Sequence, residues 1–254
     1  MIPRVDILGV GISALDMPMA VEEISRWIRE GEREYVCVTG VHGVAESQRD
    51  PELKEIHNNS GITTPDGMPM VWLSRLAGAR HTSRVYGPDL MSALCEEAAT
   101  QGWRSYLYGS APGVPETVAQ RLQERFDGLP VVGTYSPPFR PLTEAEDATI
   151  VRKINEAQPE IIWVGLSTPK QERWMATHRS QLDAPVLIGV GAAFDQWAGL
   201  VRRAPRWMQR AGLEWAFRIL MEPRRLGRRY FDAMPRFIWG ILRHPPRLRH
   251  GTEA

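Results

Sequence analysis

Short, almost purely apolar segments alternate along the first 190 residues with segments that carry the apolar spacing of helices. Apolar runs of this kind are typical of strands covered on both faces, and such strands belong to parallel sheets. The alternation therefore predicts an α/β fold with a doubly wound parallel sheet and helices on both faces. The predicted strands are 5–10, 35–39, 105–109, 131–133, 161–165 and 185–190, with a short apolar run before residue 66.

Residues that favour helix ends mark several of the predicted helices. Asp16 followed by Pro18 predicts a helix that runs to about Glu30, and Thr143 with Glu146 predicts a capping box at the start of helix 143–157. Helix 68–77 carries apolar residues on most of its surface, which predicts that most of it is buried. The other predicted helices are 41–49, 51–59, 88–100, 115–126 and 168–178.

The pattern changes after Gly199, where no further strand is predicted. Four helical pieces separated by prolines follow, near 205–211, 213–221, 223–232 and 235–243. We therefore expect a catalytic core over residues 1–199 and a helical appendage over residues 200–254.

Charge is divided unevenly along the chain. The formal net charge is +1, but residues 1–200 sum to −8 whereas residues 201–254 hold 13 arginines and sum to +9. These arginines are interleaved with tryptophan, phenylalanine and tyrosine, which suits contact of residues 201–250 with an anionic membrane surface. A solvated basic face is the alternative, and nucleic-acid binding is disfavoured because no nucleic-acid motif accompanies the charge.

The cysteines and the N-terminus favour a cytoplasmic location. Cys37 and Cys95 lie in apolar segments, where buried free thiols are the ordinary explanation. The first residues lack the pattern of a signal peptide, and nowhere do eighteen apolar residues occur together. We therefore expect neither secretion nor a membrane span.

Asp66 lies between a predicted strand and a predicted helix, in the peptide Thr64-Pro65-Asp66-Gly67. Pro65 fixes its own φ and favours an extended Thr64, while Gly67 frees the backbone just after the carboxylate. A carboxylate on a stiff turn suits a general base, because proton abstraction requires geometry first. The alternative is that Asp66 only caps the following helix.

Three further peptides are candidates for ligand binding. Gly165-Leu166-Ser167-Thr168-Pro169-Lys170-Gln171-Glu172 joins a strand to a helix N-terminus, which favours a diphosphate with Lys170 as a point charge, although Thr168 and Gln171 also fit a plain capping box. Asp195 follows the last strand, where it could equally cap a helix. Arg84 could reach a ligand or form a surface ion pair.

Asp66, Gln171 and Asp195 each follow a predicted parallel strand. Ligands of open α/β sheets bind at the carboxyl ends of the strands, so we expect these residues to converge on one crevice.

Two other types of site are disfavoured. Gly9-Val10-Gly11-Ile12-Ser13-Ala14 matches a dinucleotide fingerprint, but Pro18 would break the helix that this motif requires, which favours an ordinary strand-to-helix turn. The six histidines show no metal-ligand spacing, and no Asp-x-Asp pair is present. The sequence therefore favours a site without a metal or other cofactor, in which cationic side chains neutralise anionic groups.

Five motifs in order resemble those of the WecG/TagA/CpsF family of bacterial glycosyltransferases, and the likeness covers about residues 5–240. They are Thr64-Pro65-Asp66-Gly67, Arg84-Val85-Tyr86-Gly87-Pro88-Asp89, Gly165–Glu172, Gly191-Ala192-Ala193-Phe194-Asp195 and Arg203-Ala204-Pro205-Arg206-Trp207. The resemblance implies a Rossmann-like core and a C-terminal appendage that closes over the active site and contacts the membrane.

The resemblance also implies an inverting, metal-independent transfer of a sugar from a UDP-sugar to a polyprenyl-diphosphate-linked saccharide, in cell-surface polysaccharide biosynthesis at the inner face of the cell membrane. Asp66 falls on the family's proposed catalytic base. The pocket positions of the family correspond to Thr39, Arg84, Gln171 and Asp195. We also expect Lys170, Arg218 and Arg225 to contact the anionic part of the substrate.

Some members of the family carry an Asn where this chain has Val41. That departure leaves the donor hexose open among N-acetylmannosamine-type, uronic and glucose-type sugars. The acceptor, the linkage and a homo-oligomeric state also stay open. A non-catalytic nucleotide-binding or membrane-scaffold protein on the same fold is the main alternative, and an NAD-dependent oxidoreductase is a more distant one.

Overall fold

The computed structural model describes residues 2–210, 212–221 and 234–249. The strands of these residues are β1 (Arg4–Ile7), β2 (Val10–Ser13), β3 (Glu34–Thr39), β4 (Ile62–Pro65), β5 (Ser105–Gly109), β6 (Val131–Tyr135), β7 (Ile161–Gly165), β8 (Val186–Gly189) and β9 (Arg247–Arg249). The helices are α1 (Met17–Glu30), α2 (Val41–Glu46), α3 (Pro51–Asn59), α4 (Met68–Leu76), α5 (Gly87–Gln101), α6 (Val114–Arg125), α7 (Glu144–Ala157), α8 (Lys170–His178), α9 (Ala193–Trp197), α10 (Arg206–Arg210) and α11 (Glu214–Met221). Residues 234–243 are also helical.

Six strands form one parallel sheet in the order β4-β3-β8-β7-β5-β6. The pairs β3–β8, β8–β7, β7–β5 and β5–β6 are all parallel. Strands β5, β7 and β8 are buried along their whole length, as expected where helices flank a sheet. The predicted α/β class with a Rossmann-like parallel sheet is confirmed.

The N-terminal segment is a hairpin, and the prediction of one strand over 5–10 is wrong. β1 and β2 pair antiparallel, with Ile7 opposite Val10. Between them Leu8 and Gly9 have φ values of 56° and 83°, which is the conformation of a tight hairpin turn. The Gly9 N–H donates to Asp6 Oδ1 at 2.7 Å. The glycines of the dinucleotide fingerprint therefore lie in this hairpin and not in a strand-to-helix turn.

β9 is a strand that the sequence did not predict. It pairs antiparallel with β1, with Leu248 opposite Val5, and completes a three-stranded sheet in the order β2-β1-β9. The Arg249 guanidinium bonds the Asp6 carboxylate at 2.8 Å. The expectation that strands stop after Gly199 is therefore wrong.

The described residues form two compact units. Unit 1 comprises 1–17, 38–86 and 202–254, and unit 2 comprises 18–37 and 87–201, with the undescribed residues left aside. The core of unit 1 includes Val5, Ile12, Met70 and Phe237, so residues close to both ends of the chain pack in it. Unit 2 has its own core, whose largest fully buried side chains include Trp163 and Phe194.

Several helix ends lie where the sequence predicts them. α1 begins at Met17, and Thr143 and Glu146 form the predicted capping box of α7. α4 is less buried than predicted, because 52% of Trp72 and 75% of Leu76 are exposed. Helices are also present at α10, α11 and 234–243, whereas the predicted helix 223–232 lies outside the described residues.

His57 is a fully buried histidine of α3 in unit 1. Its Nδ1 lies 2.8 Å from the Leu53 carbonyl oxygen, which must accept the hydrogen bond, so Nδ1 carries the proton of the neutral ring. The side-chain atom Nε2 has no hydrogen-bond partner among the described residues. Burial lowers the pKa of His57 to about 4, because the charged form would lose its hydration.

This buried histidine predicts a pH-dependent stability. His57 takes up a proton near pH 6.5 in the unfolded chain but only near pH 4 in the folded one, so stability is lost as the pH falls between these values. We expect the loss to be about 3 kcal/mol in urea unfolding. The variant His57→Leu should lack this part of the loss. Equal pH dependence in the two proteins would contradict the assignment.

Candidate functional site

Two predicted site residues, Thr39 and Asp66, are brought together in unit 1. Thr39 ends β3 and Asp66 follows β4, and the Asp66 N–H donates to the Thr39 carbonyl oxygen at 3.0 Å. Gly40 follows Thr39, and a Cβ on it would lie 2.9 Å from the Asp66 carbonyl oxygen, so only glycine fits there. The Thr39 side chain is buried, and its Oγ1 has no hydrogen-bond partner among the described residues. A buried orphan hydroxyl of this kind is typical of a position that meets a ligand or an ordered water.

Asp66 lies on the stiff turn that its neighbours predict. Pro65 is the last residue of β4, and Gly67 has φ 90° and is the N-cap of α4. Because Gly67 takes the cap position, Asp66 itself is not the N-cap residue. Asp66 is half-buried, so a carboxylate is presented from a fixed backbone without being sealed in the core. This geometry suits proton transfer at a defined position.

Arg84 is anchored to the same part of unit 1. The Val85 N–H donates to the Pro65 carbonyl oxygen at 3.2 Å, so the segment that carries Arg84 is tied to the end of β4. The Arg84 guanidinium lies 4.4 Å from the centre of the Tyr86 ring. It also bonds Glu214 Oε2 through Nη1 at 2.7 Å, and the two side chains are only 14% and 12% exposed. Arg84 therefore forms an ion pair, as the alternative reading of the sequence predicts, but this pair is largely buried and does not lie on the surface.

In unit 2, the ends of β5 and β7 adopt backbone conformations that are unusual for their residues. Ser110 and Ser167 have φ values of 60° and 63°, in the left-handed region. The Ser110 N–H donates to the Gly165 carbonyl oxygen at 2.9 Å, which joins the two strand ends. Non-glycine residues in this region cost free energy and cluster at functional sites. No pattern in the sequence marks these two serines.

Gln171 is fixed in unit 2 by the residue that follows it. The Gln171 Nε2 donates to Glu172 Oε1 at 3.1 Å, and the Thr168 hydroxyl donates to the same oxygen at 2.8 Å. Because the amide nitrogen meets the carboxylate, the amide oxygen Oε1 faces the other way, towards Gly191, and it has no hydrogen-bond partner among the described residues. Burial raises the pKa of the Glu172 carboxyl.

The capping-box alternative for Thr168 and Gln171 is wrong. Pro169 is the N-cap of α8, without a side-chain cap, and Thr168 bonds Glu172 instead. Lys170 is exposed at the first position of α8. Glu172 was not among the predicted site residues, although in the predicted helix 168–178 it lies four residues after Thr168, a spacing at which helical side chains meet.

Asp195 lies in the first turn of α9, after β8. The N-cap of this helix is Ala192, so the capping alternative for Asp195 is wrong. Ser110 Oγ lies 3.4 Å from Asp195 Oδ1, which places the carboxylate near the end of β5. Arg218 lies in α11, but only its backbone is described, and Arg225 lies outside the described residues.

Two findings on metal binding and membrane spans concern all the residues that the structure describes. The part of the chain that the structure describes holds no group of three or more His, Cys, Asp or Glu side chains that could bind a metal ion. No helix among residues 2–210, 212–221 and 234–249 is both long and apolar enough to cross a membrane.

The fold defines an α/β protein in which Thr39, Asp66, Gln171 and Asp195 lie at or after the carboxyl ends of parallel strands, the usual place for ligand binding in such sheets. The chain belongs to the glycosyl transferase WecG/TagA/CpsF family, because the sequence model of that family matches residues 5–251. The resemblance seen in the five motifs is therefore confirmed, and the chain is a glycosyltransferase.

Two relatives illustrate the similarity. An N-acetylglucosaminyldiphosphoundecaprenol N-acetyl-beta-D-mannosaminyltransferase of Bacillus subtilis (strain 168) is 31% identical over 196 residues, which cover 77% of this chain and 73% of the relative. A protein of the same name from Staphylococcus aureus (strain MW2) is 27% identical over 248 residues, which cover 97% of this chain and 95% of the relative.

Proposed function

We propose that the protein transfers a hexose from a UDP-sugar to a polyprenyl-diphosphate-linked saccharide, with Asp66 as the general base. The observation that carries this proposal is the placement of a half-buried carboxylate on a rigid turn beside Thr39, at the end of adjacent strands. The names of the relatives support the acceptor class, because they specify a lipid-linked N-acetylglucosamine and the transfer of a hexosamine.

The proposed reaction is a single displacement with inversion. Asp66 removes the proton of an acceptor hydroxyl, whose oxygen forms a bond to the anomeric carbon of the donor. The bond from that carbon to the UDP oxygen breaks, and UDP leaves with the electron pair. General-base assistance of this kind lowers the barrier only if the carboxylate is held within hydrogen-bond reach of the hydroxyl.

The other predicted site residues are proposed to bind substrate. Thr39, Arg84, Gln171 and Asp195 would contact the donor, and Lys170 would add a positive charge near its diphosphate. Arg218 and Arg225 would stabilise the diphosphate as negative charge develops on it, a role that fixed cations can fulfil without a metal ion.

Val41 bears on the choice of donor sugar. In this chain Val41 packs, partly buried, against the apolar core of unit 1 and has no polar side-chain atom to offer a sugar. The proposal therefore leaves the donor open among N-acetylmannosamine-type, uronic and glucose-type sugars, and a panel of UDP-hexoses is needed to identify it.

We further propose that residues 200–254 act as an appendage that closes the active site and attaches the protein to the inner face of the cell membrane. Residues 201–254 carry the charge of +9, and Trp239 and Leu242 are 56% and 76% exposed. Exposed apolar side chains beside arginines favour binding to anionic lipid surfaces.

Flotation with anionic liposomes tests the membrane proposal. We expect Trp239→Ser combined with Leu242→Ser to weaken binding by about tenfold or more, because each buried apolar side chain contributes roughly 1.5–3 kcal/mol. Phe139→Ser is the matched control, since Phe139 is 89% exposed but lies in unit 2. Equal flotation of the double variant and the control would refute the proposal.

Calorimetric titration of the full chain distinguishes the proposed function from an NAD-dependent oxidoreductase. Binding of UDP and of a UDP-hexose, without binding of NAD, is the expected result. Binding of NAD alone would contradict the proposal in favour of an oxidoreductase. We expect NAD not to bind, because the glycines of the Gly9–Ala14 peptide lie in the β1–β2 hairpin and not at the start of a helix.

A further inference from the structure

The ion pair between Arg84 and Glu214 joins two parts of unit 1 that are 130 residues apart in sequence. Glu214 is the first residue of α11, and its Oε2 accepts a hydrogen bond from Arg84 Nη1 at 2.7 Å. Both side chains are largely buried. Charged groups in such surroundings interact more strongly than exposed ones, and removal of one partner leaves the other uncompensated.

The Arg84 guanidinium is held from two directions. Glu214 bonds one of its nitrogens, and the Tyr86 ring lies 4.4 Å from its central carbon. A second guanidinium, that of Arg203, also lies over the Tyr86 ring, at 5.2 Å. An arginine that is both stacked and hydrogen-bonded has lost much of its rotational freedom before any ligand arrives, which reduces the entropy lost on binding.

The chain before Glu214 is seated on the helix that follows Asp66. A Cβ on Gly212 would lie 2.9 Å from the Trp72 ring and 3.0 Å from Met68 Cβ, so Gly212 packs directly on α4. The Leu213 N–H donates to the Met208 carbonyl oxygen at 2.8 Å, which fixes the turn between α10 and α11. The start of α11 is thus anchored to the helix that begins two residues after Asp66, and Arg84 is anchored next to Pro65.

We propose that Glu214 is a positioning residue that acts through Arg84. It holds the guanidinium in the orientation that meets an anionic group of the nucleotide-sugar, so that ligand affinity depends on the seating of α11. The inference rests on the proposed function, in which Arg84 contacts the donor.

A double-mutant cycle on the full chain, with UDP as the probe in calorimetry, tests the inference. We expect Glu214→Gln to weaken UDP binding about 3- to 10-fold, which corresponds to the ordering cost of one long side chain. Arg84→Gln should weaken binding by more. In the Arg84→Gln background, Glu214→Gln should have no further effect, because a residue that acts only through Arg84 has nothing left to position.

Two further variants distinguish the positioning role of Glu214 from a general loss of structure. Glu214→Asp keeps the charge and should recover part of the affinity lost in Glu214→Gln. Glu124→Gln, on the exposed surface of α6 in unit 2, is the matched control and should bind UDP like the unaltered protein. Far-UV circular dichroism and thermal unfolding show whether each variant is folded.

The outcomes separate this inference from the proposed function. Unchanged or tighter UDP binding in Glu214→Gln would overturn the positioning role, and so would losses that add in the double variant. Unchanged binding in Arg84→Gln would overturn it as well, because Arg84 would then not contact the nucleotide. Absence of UDP binding in the unaltered protein would instead contradict the proposed function, and the inference would fall with it.

Discussion

Replacement of Asp66 by Asn is expected to reduce sugar transfer by about 10²–10⁴-fold while leaving UDP binding nearly unchanged. Asn has the shape of Asp but cannot take a proton from the acceptor hydroxyl. The turn itself should persist, because it is set by Pro65, by the positive φ of Gly67 and by the bond from the residue-66 N–H to the Thr39 carbonyl oxygen. Single-turnover transfer and UDP calorimetry, made on the same sample, measure the two quantities.

Asp127→Asn is a suitable control for this variant, since Asp127 is an exposed acid in unit 2. It should transfer sugar at the rate of the unaltered protein. If Asp66→Asn also retained full turnover, Asp66 would not be the base. A parallel loss of UDP affinity would point to a binding role instead.

Gly109→Ala is expected to destabilise the protein by about 3 kcal/mol or more, from strain in the backbone and from overpacking. Gly109 ends the buried strand β5 with φ 126°, a conformation that side chains disfavour. A Cβ there would lie 2.7 Å from the carbonyl carbon and oxygen of Gly165 on β7. These contacts are to paired backbone, which cannot move without breaking the β5–β7 ladder.

The matched control is Gly102→Ala, because Gly102 also has a positive φ, 75°, but a Cβ there would meet no described atom within 4 Å beyond its chain neighbours. It should lose only about 1–2 kcal/mol, the cost of the left-handed backbone. Urea unfolding of the two variants measures both losses. Similar losses would mean that the contact between the ends of β5 and β7 is looser than the distances indicate.

The central sheet could be predicted from the sequence, because buried parallel strands are marked by apolar runs that need no long-range information. The hairpin at residues 4–13 could not, since its turn uses Leu8 with a positive φ, and Leu carries no turn signal. β9 was missed for a different reason: Arg247-Leu248-Arg249 is short and polar, and it is a strand only because it pairs with β1.

The candidate site was predictable to a similar degree. Thr39 ends a strand and Asp66 follows one, and their proximity results from the adjacency of β3 and β4. The partner of Arg84 could not be predicted, because Glu214 is distant in sequence and its helix gives no sign of what it packs against. The left-handed backbone conformation of Ser110 and Ser167 could not be predicted either, since serine has no marked preference for it.

Turnover with a lipid-linked acceptor is the most direct test of the proposed function. The full chain is incubated in EDTA with a panel of UDP-hexoses and with polyprenyl-diphosphate-linked mono- and disaccharide acceptors, among them N-acetylglucosamine, and the lipid is analysed by mass spectrometry. We expect one UDP-hexose to release UDP and to lengthen the lipid-linked saccharide by one hexose, and we expect this product to be lost in Asp66→Asn. UDP binding without any lengthened saccharide from any donor would contradict the proposal and favour a non-catalytic nucleotide-binding protein.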